Sequence, residues 1–423
     1  MRIKALKARE ILDSRGVPTI ESRIELSDGS IGTGAVPSGA STGDTEVLEL
    51  RDGDKSRYSG NGVLKAISFV NNEIANALVS KEFEDLIALD SFLIELDGTL
   101  NKSRLGGNSI LSVSMAFAKA MAKSLKIELY EYFAEIYWGS NYHSKLTMPQ
   151  PQILIMEGGK HGNWATDFQE YMIIPKRDRF STFKEMLRAG AEIFKSTHDI
   201  LVHKGYSATV GYEGAFAPIQ IKSNLEAFEI ILEGIEKAGY KPSEEILLGI
   251  DAAASEFYNK DTKNYELRRE KKSLTSGEWL MLQKEWFQKF PIWSIEDTLD
   301  QEDWQSWQML VRDMGDKMQI VGDDLLTTNL QRIRKAKELN AVNSVLIKIN
   351  QIGTLSETIS AIKLSEAYGY SAIISHRSGE TNDEIIADLV VGTYANQSKF
   401  GGPDRGERLA KYNRLLEIEE KLN

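Results

Sequence analysis

The rhythm of apolar and polar positions changes near residue 135. The stretch "PTIESRIELSDGSIGTGAV" (18–36) alternates apolar and polar residues on either side of a turn at Ser27–Ser30. A period of two predicts an antiparallel hairpin with one buried face. A loop rich in Ser, Gly and Thr, "VPSGASTGD" (36–44), follows. Spacings of three and four then predict helices from about Val63 to Phe133, most clearly in "NSILSVSMAFAKAMAKSL" (108–125). The stretch "AEIYWGSNYHSKLTMPQPQ" (134–152) has little clear period and reads as a link between domains.

Beyond Pro151 short apolar runs alternate with amphipathic segments. The runs are "QILIM", "EYMIIP", "EILLGIDAA", "FPIWSIED", "MQIVGDD", "SVLIKIN" and "SAIISHRS"; "NLQRIRKAKELN" and "LSETISAIKLSEAYG" are among the helices between them. Strand–helix alternation predicts a parallel sheet, and seven or eight strands favour a closed β/α barrel. The expected fold is α/β: an N-terminal α+β domain (1–135), then a barrel (145–423).

With 423 residues, 42% hydrophobic and 27% charged, the chain is long enough for two domains. A net charge of -11 argues against nucleic-acid or membrane-surface partners, which need a basic face. The absence of cysteine excludes disulfides, thiolate nucleophiles and cysteine-based metal centres. No run approaches the roughly 20 apolar residues of a membrane helix, and "MRIKALKAREIL" is no secretory h-region. A cytoplasmic protein is the default expectation.

Ionisable residues fall at the ends of the apolar runs. "ILLGI" ends in Asp251, "PIWSI" in Glu296 and "MQIVG" in Asp323, followed by Asp324; "SVLI" runs into Lys348 and "SAIIS" into His376. In a β/α barrel these ends meet at one mouth, where such folds build their sites. One such residue is ordinarily a solvated strand end; five in succession point to a site. Three carboxylates without cysteine or paired histidines suit a hard cation, Mg²⁺ first and Mn²⁺ as the alternative. A lysine beside a dication should have a lowered pKa and serve as a general base, removing a proton α to a carboxylate.

At this point the residues resemble the enolase family. "AREILDSRGVPTIE", "AVPSGASTG", "ELRDGD", "LGGNSILSVSMAFAKA", "QEYMIIP", "IDAAASEFY", "SIED", "VGDDLLTTN", "LIKINQIGTLSET", "ISHRSGET", "IADLVVG" and "RGERLAKYNRLLEIEE" follow one another in the family's order over nearly the whole chain. The resemblance implies an enolase-type barrel, two Mg²⁺ per site and reversible dehydration of 2-phosphoglycerate to phosphoenolpyruvate. Asp251, Glu296 and Asp323 match ligands of the first Mg²⁺, and Ser41 a residue that helps hold the second. Lys348 matches the base at C2. Arg377 and Ser378 match phosphate contacts, with Ser375 and His376 in the same motif. Lys399 matches the lysine near the substrate carboxylate, and His161 the histidine of a closing loop. Glu170 and Glu213 match two carboxylates near the leaving hydroxyl, with Glu213 as the acid, its pKa raised by neighbouring negative charge. The implied assembly is a homodimer or dimer-based oligomer. It would be weakened where Glu417 replaces an arginine facing Glu21, while Arg9 and Glu407 keep a second pair and Arg414 stands near enough to rescue Glu21.

Three departures gather at the hydroxyl-leaving end. Enolases typically read "GDEGGFAP" where this chain has "GYEGAFAP", so Tyr212 replaces an acidic neighbour of Glu213 and Ala215 a glycine. They read "NGGSHAG" where this chain has "EGGKHGN", which introduces Glu157 and Lys160. After Lys399 comes "FGGPDRGER" where the family has a "TGAPARSER"-like run. Losing the acidic neighbour should lower the pKa of Glu213. Lys160 should either pair with Glu157 or point inward as an extra anion site. Measurable but reduced activity on 2-phosphoglycerate is expected. The alternatives are a paralogue acting on a related phospho- or phosphono-carboxylate, like carboxyphosphonoenolpyruvate synthases, and a non-catalytic binding enolase.

Overall fold

The computed structural model describes residues 1–39 and 43–423. Ser41, expected to help hold a second cation, lies outside the described residues. The chain opens with an antiparallel sheet of β1 (Ile3–Leu12), β2 (Pro18–Leu26) and β3 (Ile31–Ala35), in that spatial order. β2 and β3 form the hairpin read from the pattern. β1 was not read as a strand, and the reason lies in its burial: only Ile3 and Leu6 are buried, so it carries little alternation. Ile20, Ser22, Ile24 and Leu26 form the buried face of β2. The helix Gly107–Leu125 packs against this sheet so closely that a side chain at Gly32 would stand 2.0 Å from the carbonyl oxygen of Ala116. The helix Leu129–Trp138 takes up the start of the segment read as a linker, and β4 takes up its end.

The next strands are β4 (Gln150–Glu157), β5 (Glu170–Pro175) and β6 (Ile246–Asp251). An antiparallel excursion follows, which the apolar pattern did not register: β7 (Tyr258–Asn259), β8 (Asn264–Leu267) and β9 (Lys272–Thr275). Then come β10 (Ile292–Glu296), β11 (Gln319–Gly322), β12 (Ser344–Ile347), β13 (Ser371–Ser375) and β14 (Gln397–Lys399). The closed barrel has the order β10-β11-β12-β13-β14-β4-β5-β6.

The expectation of a wholly parallel barrel is corrected: β5 runs antiparallel to both β4 and β6. A loop at 158–169 joins β4 to β5, and an antiparallel neighbour needs no crossover helix. This reversal matters for the site. Asp251 and Glu296 end β6 and β10, and Lys399 ends β14; Asp323, Lys348 and His376 follow β11, β12 and β13. Glu170 begins β5, yet it lies at the same mouth because β5 points the other way, opposite Asp251 and Glu157. Inside the barrel, Gln152 Nε2 donates to Gln397 Oε1 (2.8 Å) and Gln319 Oε1 (3.2 Å), and the Ser294 hydroxyl donates to Gln319 Oε1 (2.9 Å). Buried polar groups that satisfy one another in this way make a tolerable barrel interior.

The N-terminal domain reaches the mouth. Ser38 and Gly379 exchange main-chain hydrogen bonds of 2.7 and 2.9 Å, and Ser14 N donates to Glu380 O at 2.7 Å. Arg9 pairs within its own chain with its cross-strand neighbour Glu21 at 2.7 Å, and Glu407 with Arg405 at 2.7 Å. Within the chain Arg414 holds Asp388 (2.6 Å), Glu128 (2.9 Å) and Glu417 (3.0 Å).

A buried acid joins the two domains. Asp90 Oδ2 accepts the main-chain N–H of Ser356 at 2.9 Å, in the first turn of the helix Leu355–Ala367, and Ser114 Oγ accepts that of Leu355 at 3.2 Å. Beside them Lys102 pairs with Glu357 at 2.9 Å. Burial pushes the Asp90 carboxyl up to about 7 from 3.8. The folded state therefore binds the proton more tightly than the unfolded one, so this group's contribution is lost as pH rises from about 4 to 7. The full shift is worth roughly 4 kcal/mol. Asp90→Asn keeps an acceptor for Ser356 and removes the titration. Thermal melts between pH 5 and 8 should show a smaller loss of Tm in the variant than in the wild type; equal losses would refute this account of Asp90.

Candidate active site

The ionisable side chains converge on one enclosed cavity. His161, Glu170, Glu213, Asp251, Asp323, Lys348, Ser375, His376, Arg377, Ser378 and Lys399 all line it, together with Gln169, Asp297 and Asp324. Of the described residues matched to the family's catalytic, substrate and metal positions, only Glu296 is not on its wall; it is buried and reached through Lys399. The free volume is about 20 Å³, because lysine head groups fill the space. Lys399 Nζ lies 2.8 Å from Glu296, 3.0 Å from Glu170 and 3.3 Å from Asp251. Lys348 Nζ is paired with Asp323 Oδ2.

The carboxylates outnumber the fixed cations. Glu170, Glu213, Asp251, Asp297, Asp323 and Asp324 face Lys348, Arg377 and Lys399. Burial drives the carboxyls of Glu296, Asp297 and Asp324 well above the usual range, and like-charged neighbours raise them further. Asp297 sits in the left-handed region (φ 41°) and turns its carboxylate back on the chain, accepting from Asp323 N (3.0 Å) and Asp324 N (2.6 Å). Oxygens of Asp297, Asp323 and Asp324 lie within 4.8 Å of one another. The tight acidic group is therefore this one, while Asp251 and Glu296 are bridged by Lys399. Buried oxygen donors carrying uncompensated charge suit a hard dication.

One expectation about protons is corrected. Glu213 is not raised: burial alone would raise it, but His161 and His376 hold its carboxyl well below the usual range. Glu213 Oε1 is 3.3 Å from His161 Nδ1 and Oε2 is 3.1 Å from His376 Nε2. The raised partner is Glu170, pushed up to about 8 by burial against the opposing pull of Lys399, with Glu213 and Asp251 adding to the rise. Lys348, expected to fall beside a dication, is raised by the protein's own groups. Burial is the largest single influence and works to lower it, but Asp323, joined by Glu296, turns the balance upward.

The tautomer of His376 follows from its other neighbour. Arg408 Nη1 lies 2.7 Å from His376 Nδ1. A guanidinium only donates, so Nδ1 accepts and the ring proton is on Nε2, facing Glu213. Burial first, with the positive charge of Arg408 assisting, holds His376 down to about 3 although Glu213 opposes this. His161 Nε2 is 2.8 Å from Ser378 Oγ. His161 Nδ1, His376 Nε2, Glu170 Oε2 and Glu213 Oε2 are buried and lack aligned hydrogen bonds, despite their short ionic contacts. Arg377 meets Glu46 of the N-terminal domain at 3.0 Å and Asn350 at 3.1 Å. Gln351 Nε2 donates to Asp323 Oδ1 at 2.8 Å.

The changed residues behave differently from one another. Lys160 neither pairs with Glu157 nor enters the cavity; its Nζ meets Glu256 at 2.6 Å. The Tyr212 side chain is 45% exposed. Ala215 is buried with Leu154 and Met172. Glu157 reaches the acid loop from β4, accepting from Ala215 N at 3.1 Å and Glu213 N at 3.2 Å; burial and the Glu213 charge push it up to about 8.

Arg408, Asp297, Glu46 and Gln351 were not singled out in sequence. The doubled acids "ED" and "DD" at strand ends signalled Asp297, but Arg408 lies on the helix Gly406–Leu422 with no local mark of its role. Residues 3–133 match the enolase N-terminal domain, and residues 145–423 the enolase C-terminal TIM barrel domain. With matches spanning both parts of the chain around this cavity, the protein belongs to the enolase family.

Proposed function

We propose that this enolase-family lyase reversibly dehydrates 2-phosphoglycerate to phosphoenolpyruvate. The observation that carries the reading is that Lys348 and Glu170, a potential base and a carboxyl that keeps its proton near neutral pH, line one cavity with Arg377 and Lys399. Arg377 and Ser378 would bind the phosphate and Lys399 the carboxylate. Asp251, Glu296 and Asp323 would hold Mg²⁺, and Ser41 would contribute to a second ion. The cation supplies positive charge to the substrate carboxylate as the C2 proton leaves.

Lys348 must be neutral to accept that proton. With Asp323 engaged elsewhere, burial and the cations Arg377 and Lys399 favour the neutral amine, and the charge of Glu296 opposes them. Loss of the C2 proton to Lys348 leaves an electron pair that forms the C2–C3 double bond as the C3–O bond breaks. Hydroxide is a poor leaving group, so a proton must reach that oxygen. Glu170 holds one; Glu213, ionised between two histidines, orients the hydroxyl. Lys160 faces Glu256, so the extra anion site that would favour a more highly charged substrate has no support.

Three outcomes test this. Product absorbance should rise on adding 2-phosphoglycerate with Mg²⁺ and stay flat in EDTA, and Lys348→Ala should lower the rate roughly 10²–10⁴-fold in a folded protein. Full activity in EDTA would sink the proposal. The dehydration rate should decline as pH rises through about 8, where Glu170 loses its proton, and Glu170→Gln should abolish that limb while lowering the rate. Finally, Tyr212→Asp with Lys160→Ser should change kcat by no more than about fivefold, since an exposed pair is worth about 0–1 kcal/mol; a larger rise would revive the substrate-switch alternative.

A further inference from the structure

Glu157 is a buried carboxylate that the proposed chemistry does not use. It ends β4 and is 1% exposed. Its Oε1 accepts the main-chain N–H groups of both Glu213 (3.3 Å) and Ala215 (3.1 Å), and Oε2 accepts that of Glu213 at 3.2 Å. A side chain at Gly211 would stand 2.5 Å from Glu157 Cδ, so the loop is pressed directly on the carboxyl group. Backbone contacts extend the same seam: Glu157 N donates to Phe216 O (2.9 Å), Phe216 N to Ile155 O (3.0 Å), and Gly211 N closes on Ala215 O (2.9 Å).

The opposite side of the loop is tied to another part of the barrel. Gly402 N donates to Glu213 O at 2.9 Å, and Arg408 Nη2 to Tyr212 O at 3.0 Å. These contacts leave little freedom for the main chain at residue 213. The direction of the Glu213 side chain, between His161 and His376, follows from where its own N–H is held. Glu157, pushed up to about 8 by burial, keeps its proton near neutral pH and still offers an accepting oxygen. It lies beneath Glu213, which is carried on a loop, whereas Glu170 lies on a strand.

We propose that Glu157 is the positioning residue for Glu213. By accepting the N–H groups of residues 213 and 215, it holds the 211–215 loop so that the Glu213 carboxylate stands between the two histidines. This inference rests on the proposed function for its kinetic consequence, but not for the clamp itself. Because Glu213 acts at C3 and Lys348 at C2, a loosened loop should impair departure of the hydroxyl and spare removal of the C2 proton.

The test uses the full-length protein with Mg²⁺ and 2-phosphoglycerate in deuterated water. Glu157→Ala should lower dehydration by roughly 10²-fold, as expected for a misplaced catalytic group, while exchange of the C2 hydrogen stays within about twofold. Glu157→Gln, which keeps one oxygen able to accept both N–H groups, should recover dehydration to within about threefold of wild type. In parallel, amide deuteration of the peptide spanning 210–216 should quicken in Glu157→Ala and not in Glu157→Gln. Equal losses of exchange and dehydration in Glu157→Ala, or unchanged values of both, overturn the proposal. If the wild type neither exchanges nor dehydrates the substrate, the proposed function falls. The amide measurement then decides the clamp alone: faster exchange in the alanine variant supports it, and unchanged protection overturns it.

Discussion

Surplus negative charge buried at the barrel mouth is the constraint on which the rest depends. Glu170, Asp251, Glu296, Asp297, Asp323 and Asp324 cannot all ionise beside one another without compensation. The protein supplies part of it. Lys399 bridges Glu170, Asp251 and Glu296, and is raised well above its usual value: burial opposes this, and the three carboxylates overcome it. Lys348 takes Asp323, and Arg377 takes Glu46. The remaining carboxyls respond by holding protons. The same arrangement that would bind a dication therefore also stores the protons that an elimination needs.

That charge explains why two domains are needed. The barrel brings the strand-end residues together but leaves its mouth open. Segments before the helical part of the N-terminal domain close over it through Ser14, Ser38 and Glu46, each bonded to the 377–380 segment that also carries Arg377 and Ser378. Exclusion of water strengthens every interaction inside. Asp90 secures the other side of the domain contact, at the start of the helix Leu355–Ala367.

How much was legible in sequence can be read residue by residue. Strand-end placement of Asp251, Glu296, Asp323, Lys348 and His376 was visible because each ends an apolar run, and a barrel has one mouth. β14 was not visible, since Gln397–Lys399 has no apolar run, and its neighbours rather than its own side chains make it a strand. The reversal of β5 was equally hidden: "EYMIIP" reads the same in either direction, and only its short connection to β4 distinguishes them. Proton affinities were the least legible. The direction for Glu213 depended on two histidines from distant segments, and the direction for Lys348 on whether Asp323 is free.

The departures from the family pattern resolve in the same terms. A substitution matters here according to which loop it holds, not how near in sequence it lies to a catalytic residue. Tyr212 adjoins Glu213 in the chain, yet its side chain is exposed. Glu157 is 56 residues away and bonds to the same amide. Ala215 adds a methyl that Leu154 and Met172 cover, which makes the loop's inner side apolar just where its N–H groups turn to Glu157. A carboxyl in that position, pushed up to about 8, can hold the loop in either protonation state because one acceptor oxygen survives protonation. The acidic group absent at position 212 is thus matched by one at position 157. It lies beneath the loop, where it acts on Glu213 through the main chain.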